Sequence, residues 1–457
     1  MPEPESPLLP GEFPGAIWYG EEEMEAALRV LRHQSPFRYY GPRCGFEVRR
    51  FEEEFARFLA SAPGSPWPEE SDIHVTAVNS GTGALEVALE ALGVGCGDEV
   101  LVQGFLWVSS ISAILRNRAI PVLVDSDDTL NMDPGAIRAK VTPRTKVIMP
   151  VPMLGGCARI GEIMAAVREI NHEREQEGLV PVRVLEDCAQ SLGAHAKGVP
   201  GSRVPLGEEG IHRIGTFGDA GIFSLQINKN ITTGEGGMIV TRDPELHRRI
   251  DALHNAGYAP DPLNPCNWYG DVPVGWGHGR RMSELQGAVA RVQLSKLDAI
   301  LSGMRRSHRR IEDAVRALGM TPRARADAED PGDTGYYCLF QLPPGPADEA
   351  AKIARGRAVA RALEPWGLHP WFLHDFEVHV YYNILPLTEK WPILNGCPWE
   401  CPKNTFHKEY QYKRGALPRL DEALITTVGV NVPSRMTPEQ EGQIVNVLEH
   451  VLRQGND

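Results

Sequence analysis

The sequence predicts an α/β protein, with a mostly parallel, doubly wound sheet flanked by helices and a smaller α+β unit at its C-terminal end. Two observations carry that expectation. Short apolar runs rich in β-branched residues recur through the first half: "HVTAV" (74–78), "DEVLVQ" (98–103), "IPVLVD" (120–125), "TKVIMPV" (145–151), "VRVLED" (182–187), "AGIFSL" (220–225) and "GGMIVT" (236–241). Helical segments such as "GALEVALEALG", "GEIMAAVREINHEREQEG" and "DPELHRRIDALHN" separate several of them. Strands joined through helices need crossover connections, and these make the sheet parallel.

Before the first strand, "EEEMEAALRVLRHQ" and "EVRRFEEEFARFLA" carry apolar residues at helical spacing, with the loop "SPFRYYGPRCG" between them. Residues 1–45 therefore read as a helical arm and loop, and 46–315 as the large α/β domain. The long helical pattern "MSELQGAVARVQLSKLDAILSGMRRSHRRIEDAVRALG" leads out of it. Beyond lie "GYYCLFQLP", an amphipathic "EAAKIARGRAVARALEPWG" and a closing "TPEQEGQIVNVLEHVLRQ", which define a smaller α+β domain over 316–457.

Composition narrows the function. A chain of 457 residues, 42% hydrophobic and 23% charged, has the makeup of a globular protein long enough for two or more domains. Its formal charge of -13 argues against a nucleic-acid or anionic-membrane surface, since a protein that tracks phosphates carries a basic excess. The N-terminal "MPEPESPLLPGEF" has no basic region followed by an apolar one, and no run approaches the ~20 apolar residues of a bilayer span. A cytoplasmic protein is expected. The eight cysteines are scattered and lack zinc-type spacing, so buried reduced thiols are expected and no metal; Cys397 and Cys401 in "GCPWECP" read as part of a Pro-rich loop.

Three signals point to chemistry. "NSGTGALEVAL" follows a strand and opens a helix, so Ser80, Gly81, Thr82 and Gly83 form a potential phosphate cup at the positive end of a helix dipole. A tight turn capped by Ser80 would need no ligand and explains the same residues. "VRVLEDCAQSLGA" ends a strand in Glu186-Asp187, where ligands bind in open α/β sheets. Such a carboxylate either keeps a heterocyclic nitrogen protonated or caps the next turn. Lys229, in "FSLQINKNITTGEGG", follows a strand and precedes a glycine-rich turn; a lone lysine there is by default a loop residue. In this order, however, the three supply what pyridoxal phosphate needs: a phosphate grip, a partner for the pyridine nitrogen and an amine for its carbonyl.

At these residues the chain resembles the sugar aminotransferases of the DegT/DnrJ/EryC1/StrS type, within the fold-type I pyridoxal phosphate enzymes. The elements that match are "SGTGAL", "DEVLVQGFLWVSSISAIL", "LEDCAQSLGA", "GDAGIFSLQINKNITTGEGGMIVT" and "RMSELQGAVARVQLSKLD". The resemblance implies a mainly parallel sheet of the seven-stranded type and a homodimer with its active site at the interface. It implies that Lys229 carries the cofactor and shuttles the proton, and that Asp187 pairs with the pyridine nitrogen. Gln190 would lie near the cofactor hydroxyl, with Ala189 and Trp107 against the ring faces and Gly81, Thr82 and Ser224 on the phosphate.

The implied reaction moves an amino group from L-glutamate or L-glutamine to a ketone or aldehyde of a sugar-, cyclitol- or nucleoside-like acceptor, in secondary-metabolite (antibiotic) biosynthesis. The alternatives are a keto-sugar dehydratase, which in relatives has a histidine in place of the lysine, and a non-catalytic relative. Two departures stand out. "GHGRRMSE" has Gly279 where the family has an asparagine reaching a neighbouring subunit's phosphate, so His278 and Arg280, with Arg281, are candidate replacements. "VPMLGGCAR" puts Pro152 and Arg159 where a histidine and an acid are usual. Tyr39 and Tyr40 of "SPFRYYG", and the stretch "HPWFLHDFEVHVYYN", are candidates for the acceptor pocket. "EINHEREQEGLVPV" and "GSRVPLGEEGIHRIGTF" read as surface insertions.

Overall fold

A computed structural model describes residues 13–198, 210–258, 275–327, 329, 332–345 and 347–454. Two helices, α1 (Glu21–Arg32) and α2 (Glu47–Ala60), come first. Strand β1 (His74–Val78) then leads into α3 (Gly81–Ala91), β2 (Glu99–Gln103) into α4 (Val108–Arg116), and β3 (Ile120–Val124) into the single turn α5 (Pro134–Ile137). β4 (Thr145–Met149) precedes α6 (Ile160–Gln176), and β5 (Arg183–Asp187) is followed by a ribbon of β6 (His195–Lys197) and β7 (Ile211–Arg213). β8 (Ala220–Ser224), β9 (Gly237–Thr241) and α7 (Pro244–His254) complete this half.

The large sheet has seven strands in the order β1-β9-β8-β5-β4-β2-β3. Its pairings are parallel except at β9, which runs antiparallel to both β1 and β8. The expected doubly wound sheet is thus present, with one reversed strand. The reversal arises because "NKNITTGEGG" returns the chain directly from β8 to β9, with no crossover helix.

The long helix α8 (Glu284–Ala317) opens on a capping box: Ser283 Oγ accepts the Gln286 amide at 3.3 Å, and the Gln286 side chain accepts the Ser283 amide at 3.1 Å. Beyond it, β10 (Thr321–Pro322), β11 (Tyr337–Gln341), α9 (Glu349–Leu363), β12 (Pro370–Phe372), the short α10 (Leu385–Thr388) and α11 (Pro418–Leu424), β13 (Thr427–Asn431) and α12 (Pro438–Gln454) follow. Its four strands form a second, antiparallel sheet, β10-β11-β13-β12. That sheet shares one apolar core with α9, α12 and the end of α8, through Ile311, Val315, Phe340, Leu363, Val430 and Leu448.

The rest of the C-terminal stretch packs elsewhere. Phe376, Val380, Tyr381, Leu417 and Leu420 join the core beneath the large sheet, with Val102, Leu185 and Ile222. Gly104, just after β2, makes that close approach possible. A Cβ there would lie 2.3 Å from Leu417 and 2.8 Å from Tyr381.

Two expectations about insertions and thiols change. "EINHEREQEGLVPV" is largely the last turns of α6 and so extends a helix of the core layer. Of "GSRVPLGEEGIHRIGTF", residues 201–209 lie outside the described residues, and Ile211–Arg213 is β7. Cys157, Cys188 and Cys338 are buried as expected, but Cys44, Cys96, Cys397 and Cys401 are partly exposed; Cys266 lies outside the described residues. Among the described residues, no helix is long and apolar enough to cross a membrane, and no group of three or more His, Cys, Asp or Glu is arranged to hold a metal ion.

Candidate active site

The C-terminal ends of β5 and β8, the start of α3 and the loop after β2 surround a cavity of about 580 Å³. Gly81, Thr82, Trp107, Asp187, Ala189, Gln190, Ser224 and Lys229 all line it. A larger cleft of about 860 Å³ opens between the Ser126–Asp128 loop and the small sheet. Its charges are already paired, Lys352 with Glu422 at 2.5 Å, Arg419 with Asp133 and the largely buried Asp127 with Arg159.

On one side of the smaller cavity, Ser80 caps α3 by accepting the Gly83 amide at 3.0 Å. Gly81 is pressed against Ser224, where a Cβ would meet the serine Cβ at 2.8 Å and its Oγ at 3.0 Å. Thr82 Oγ1 and Ser109 Oγ lie 2.8 Å apart. Hydroxyls and the N-terminal end of α3 thus converge on one corner, which fits a phosphate.

Asp187 is buried to 3% exposure at the end of β5. Its carboxylate accepts the Ser110 hydroxyl at 2.7 Å and the Ala189 amide at 3.3 Å. Burial pushes its pKa up, while those donors and the charge of Lys229 pull it down. Glu186 points the other way: it binds the amides of Gly215, Phe217 and Gly218 at 2.7–2.8 Å and so stitches the turn before β8. Of the two acids that end β5, Asp187 alone belongs to the cavity.

Lys229 lies in the turn after β8, where its backbone N–H donates a hydrogen bond to Gln226 O at 2.9 Å. Burial lowers its pKa to about 8, against the opposing pull of Asp187 and Glu235. A side-chain amine in that range has a substantial neutral fraction near physiological pH and can attack a carbonyl. Gln190 Oε1 accepts the Leu154 amide at 3.0 Å, leaving the Nε2 amide as a donor for a group in the cavity.

The other four candidates are not in this cavity. The Tyr39 hydroxyl lies 3.2 Å from His254 Nε2, and Tyr40 is 73% exposed. His278 Nε2 lies 2.5 Å from a carboxylate oxygen of Glu90, and Arg280 pairs with Glu86, both acids on α3. Arg281 donates to Asn255 at 2.9 Å. Gly279, at φ +66 with open space around it, fills a left-handed position that glycine adopts without strain. Arg159 turns to Asp127 and Asp128, away from the cavity.

Sequence reasoning missed Ser110, the partner of Asp187, and the pair Tyr336 and Tyr337 at the start of β11. Tyr336 donates to Asn228 O at 2.8 Å and so braces the lysine turn from the second sheet. The stretch "HPWFLHDFEVHVYYN" supplies Trp371, Phe376, Glu377 and His379. Its density of aromatic residues was the available signal.

The sequence profile of the DegT/DnrJ/EryC1/StrS aminotransferase family matches residues 19–355. The chain belongs to this family. It is 35% identical over 358 residues to the L-glutamine:2-deoxy-scyllo-inosose aminotransferase of Streptomyces kanamyceticus, covering 75% of each protein. It is 34% identical over 273 residues to the GDP-perosamine synthase of Caulobacter vibrioides, covering 60% of this chain and 64% of that one. Among solved structures it resembles 3-amino-5-hydroxybenzoic acid synthase, with a TM-score of 0.72 and 25% identity over 98% of this chain and all of that one. A putative sugar aminotransferase from Streptococcus pneumoniae shares the fold, with a TM-score of 0.74 at 20% identity over 98% of this chain and all of that one. The protein is accordingly a fold-type I aminotransferase dependent on pyridoxal phosphate. The family's cofactor fits the residues present: a serine-lined helix end, a buried carboxylate and a desolvated amine share one cavity.

Proposed function

We propose that this protein transfers the amino group of L-glutamine or L-glutamate to the carbonyl carbon of a cyclitol- or sugar-like acceptor, as a step of secondary-metabolite assembly. The observation that carries this reading is the meeting of Lys229, its amine lowered to about pKa 8, with the buried Asp187 in one cavity of a chain similar to cyclitol aminotransferases. Gly81, Thr82 and Ser224 would hold the cofactor phosphate, Asp187 its pyridine nitrogen, and Trp107 and Ala189 its ring faces. Gln190 would donate its amide to the ring hydroxyl. When bound, the cofactor supplies an electron sink for the carbon that loses its proton. Lys229 Nζ then takes the proton from the donor's carbon and, in the second half, delivers one to the acceptor's carbon.

A lysine at position 229 speaks against dehydration, and the retained carboxylate and amine speak against a non-catalytic relative. We place the working enzyme in a homodimer. Met24, Leu28 and Leu31 on α1 are about half exposed, Trp276 is 89% exposed, and these apolar surfaces favour burial against a second copy. Tyr39, Tyr40, His278 and Arg280, outside their own cavity, would then border the partner's. Free thiols at Cys44, Cys96, Cys397 and Cys401 fit a reducing, cytoplasmic compartment.

The test is spectroscopic and chemical. Purified protein should carry a cofactor absorbance near the visible edge that L-glutamine or L-glutamate bleaches, and Lys229→Ala should lose both the band and amination of ring ketones read by mass. A stable band that answers to no amino donor would reject the reading.

A further inference from the structure

One wall of the cavity takes no part in holding the proposed cofactor. That wall is residues 371–383, which include three short 3-10 turns (Leu373–Asp375, Glu377–His379 and Tyr381–Asn383), the last two clamped onto the loop that carries Trp107. The Leu106 amide donates to His379 O and the Tyr381 amide to Gly104 O, both at 2.9 Å, and Phe105 bridges Val380. A ladder of rings runs alongside: Trp371 to Phe376 at 4.4 Å, Phe376 stacked on His379 at 4.0 Å and 10°, and His379 to Trp107 at 4.7 Å.

Glu377 sits between the anchored Phe376 and His379 and lines the cavity. We propose that Glu377 selects the acceptor: its carboxylate receives hydrogen bonds from hydroxyls flanking the reacting carbonyl, so that the enzyme takes a polyhydroxylated ring ketone that bears no phosphate. This inference rests on the aminotransferase reading above.

Three observations support it. Glu377 has φ +41, a left-handed conformation that glycine takes freely and a glutamate does not, so the side chain is kept where the backbone disfavours it. No hydrogen bond or ion pair engages its carboxylate among the described residues, whereas Asp375, two positions earlier, is held by Arg357 at 2.6 and 2.8 Å. The part of the described lining drawn from residues 371–383 carries one carboxylate, Glu377, and no lysine or arginine of this chain. Carboxylates accept hydrogen bonds from hydroxyls and repel phosphate oxygens. The imidazole between Glu377 and Trp107 adds no charge, since burial and the nearby Lys229 lower the His379 pKa to about 4.

The test compares kcat/KM for three acceptors with L-glutamine as donor: a polyhydroxylated cyclohexanone, the same ring without the hydroxyls beside its carbonyl, and a nucleotide-linked keto sugar. Wild type should prefer the first. Glu377→Gln, which keeps the shape, and Glu377→Gly, which suits the backbone, should each lose about tenfold to a hundredfold on it, mainly through KM, as expected for one charge-assisted hydrogen bond. The deoxygenated ring should lose far less, so the selectivity ratio collapses. Equal losses on both rings would mark a merely structural role and overturn the proposal. So would wild-type preference for the nucleotide-linked sugar. A wild-type enzyme that aminates none of the three would defeat the proposed function along with it, whereas intact amination with an unmoved ratio defeats only the role of Glu377.

Discussion

The two walls of the cavity are built in different ways. The wall proposed for the cofactor is the end of a regular sheet: Asp187 and Ser224 are the last residues of β5 and β8, 3% and 5% exposed, and Gly81 opens a capped helix. The wall proposed for the acceptor consists of short turns held by ring contacts and two backbone hydrogen bonds, and its carboxylate at Glu377 is exposed. Chemistry common to a family needs atoms fixed to within a fraction of an ångström, and strand ends in a packed sheet provide that. Choice among acceptors tolerates an irregular segment and benefits from one that varies without disturbing the sheet.

The largest expected effect breaks the cofactor wall. In Asp187→Ala, turnover should fall by roughly a thousandfold, about 4 kcal/mol of barrier, measured as steady-state amination with saturating cofactor. The fold should survive, because the carboxylate already carries a burial cost and its partners are one hydroxyl and one amide. A loss under tenfold would mean that the two walls contribute alike. Next comes the acceptor wall. Phe376 is buried between Trp371 and His379, so Phe376→Ala should cost about 3 kcal/mol of stability in denaturant melts, typical of a deleted buried phenyl ring. The bound cofactor band should persist in the folded variant. Loss of the band together with stability would show that the acceptor segment also holds the cofactor.

The same contrast explains what was legible in the sequence. The sheet and the residues proposed for the cofactor could be read because a strand end followed by a glycine-rich or helix-capping turn is a local pattern, so Asp187, Ser224 and Lys229, which the fold brings to one cavity, stand out within a few residues. The reversed strand β9 was not legible, since its run "GGMIVT" is apolar in either direction and only pairing sets its sense. Ser110 was not either: nothing in "WVSS" says which serine meets a carboxylate 77 positions away. His278 and Arg280 looked free because a sequence does not display Glu90 and Glu86 across the fold. The segment around Glu377 could be suspected from its aromatics, but its packing on the large sheet depends on the long-range fit of Leu417 and Tyr381 over Gly104.

The smallest effect concerns the charge on Lys229. The amine must be neutral to react with the cofactor's carbonyl, and burial lowers its pKa to about 8. At pH 7 about a tenth of it is then neutral, against roughly 0.03% for an ordinary lysine near 10.5. Cofactor uptake by the apo-enzyme should therefore accelerate about fivefold between pH 7 and 8 and level off above about 9. An ordinary lysine would keep accelerating past pH 10. Glu235 raises the amine's pKa through its charge, so Glu235→Gln should move the inflection downward, by less than the displacement that burial produces. Stopped-flow absorbance over a pH series measures both. An inflection above 9.5 in the wild type would mean that the amine is solvated and that the cofactor wall does not activate it by desolvation.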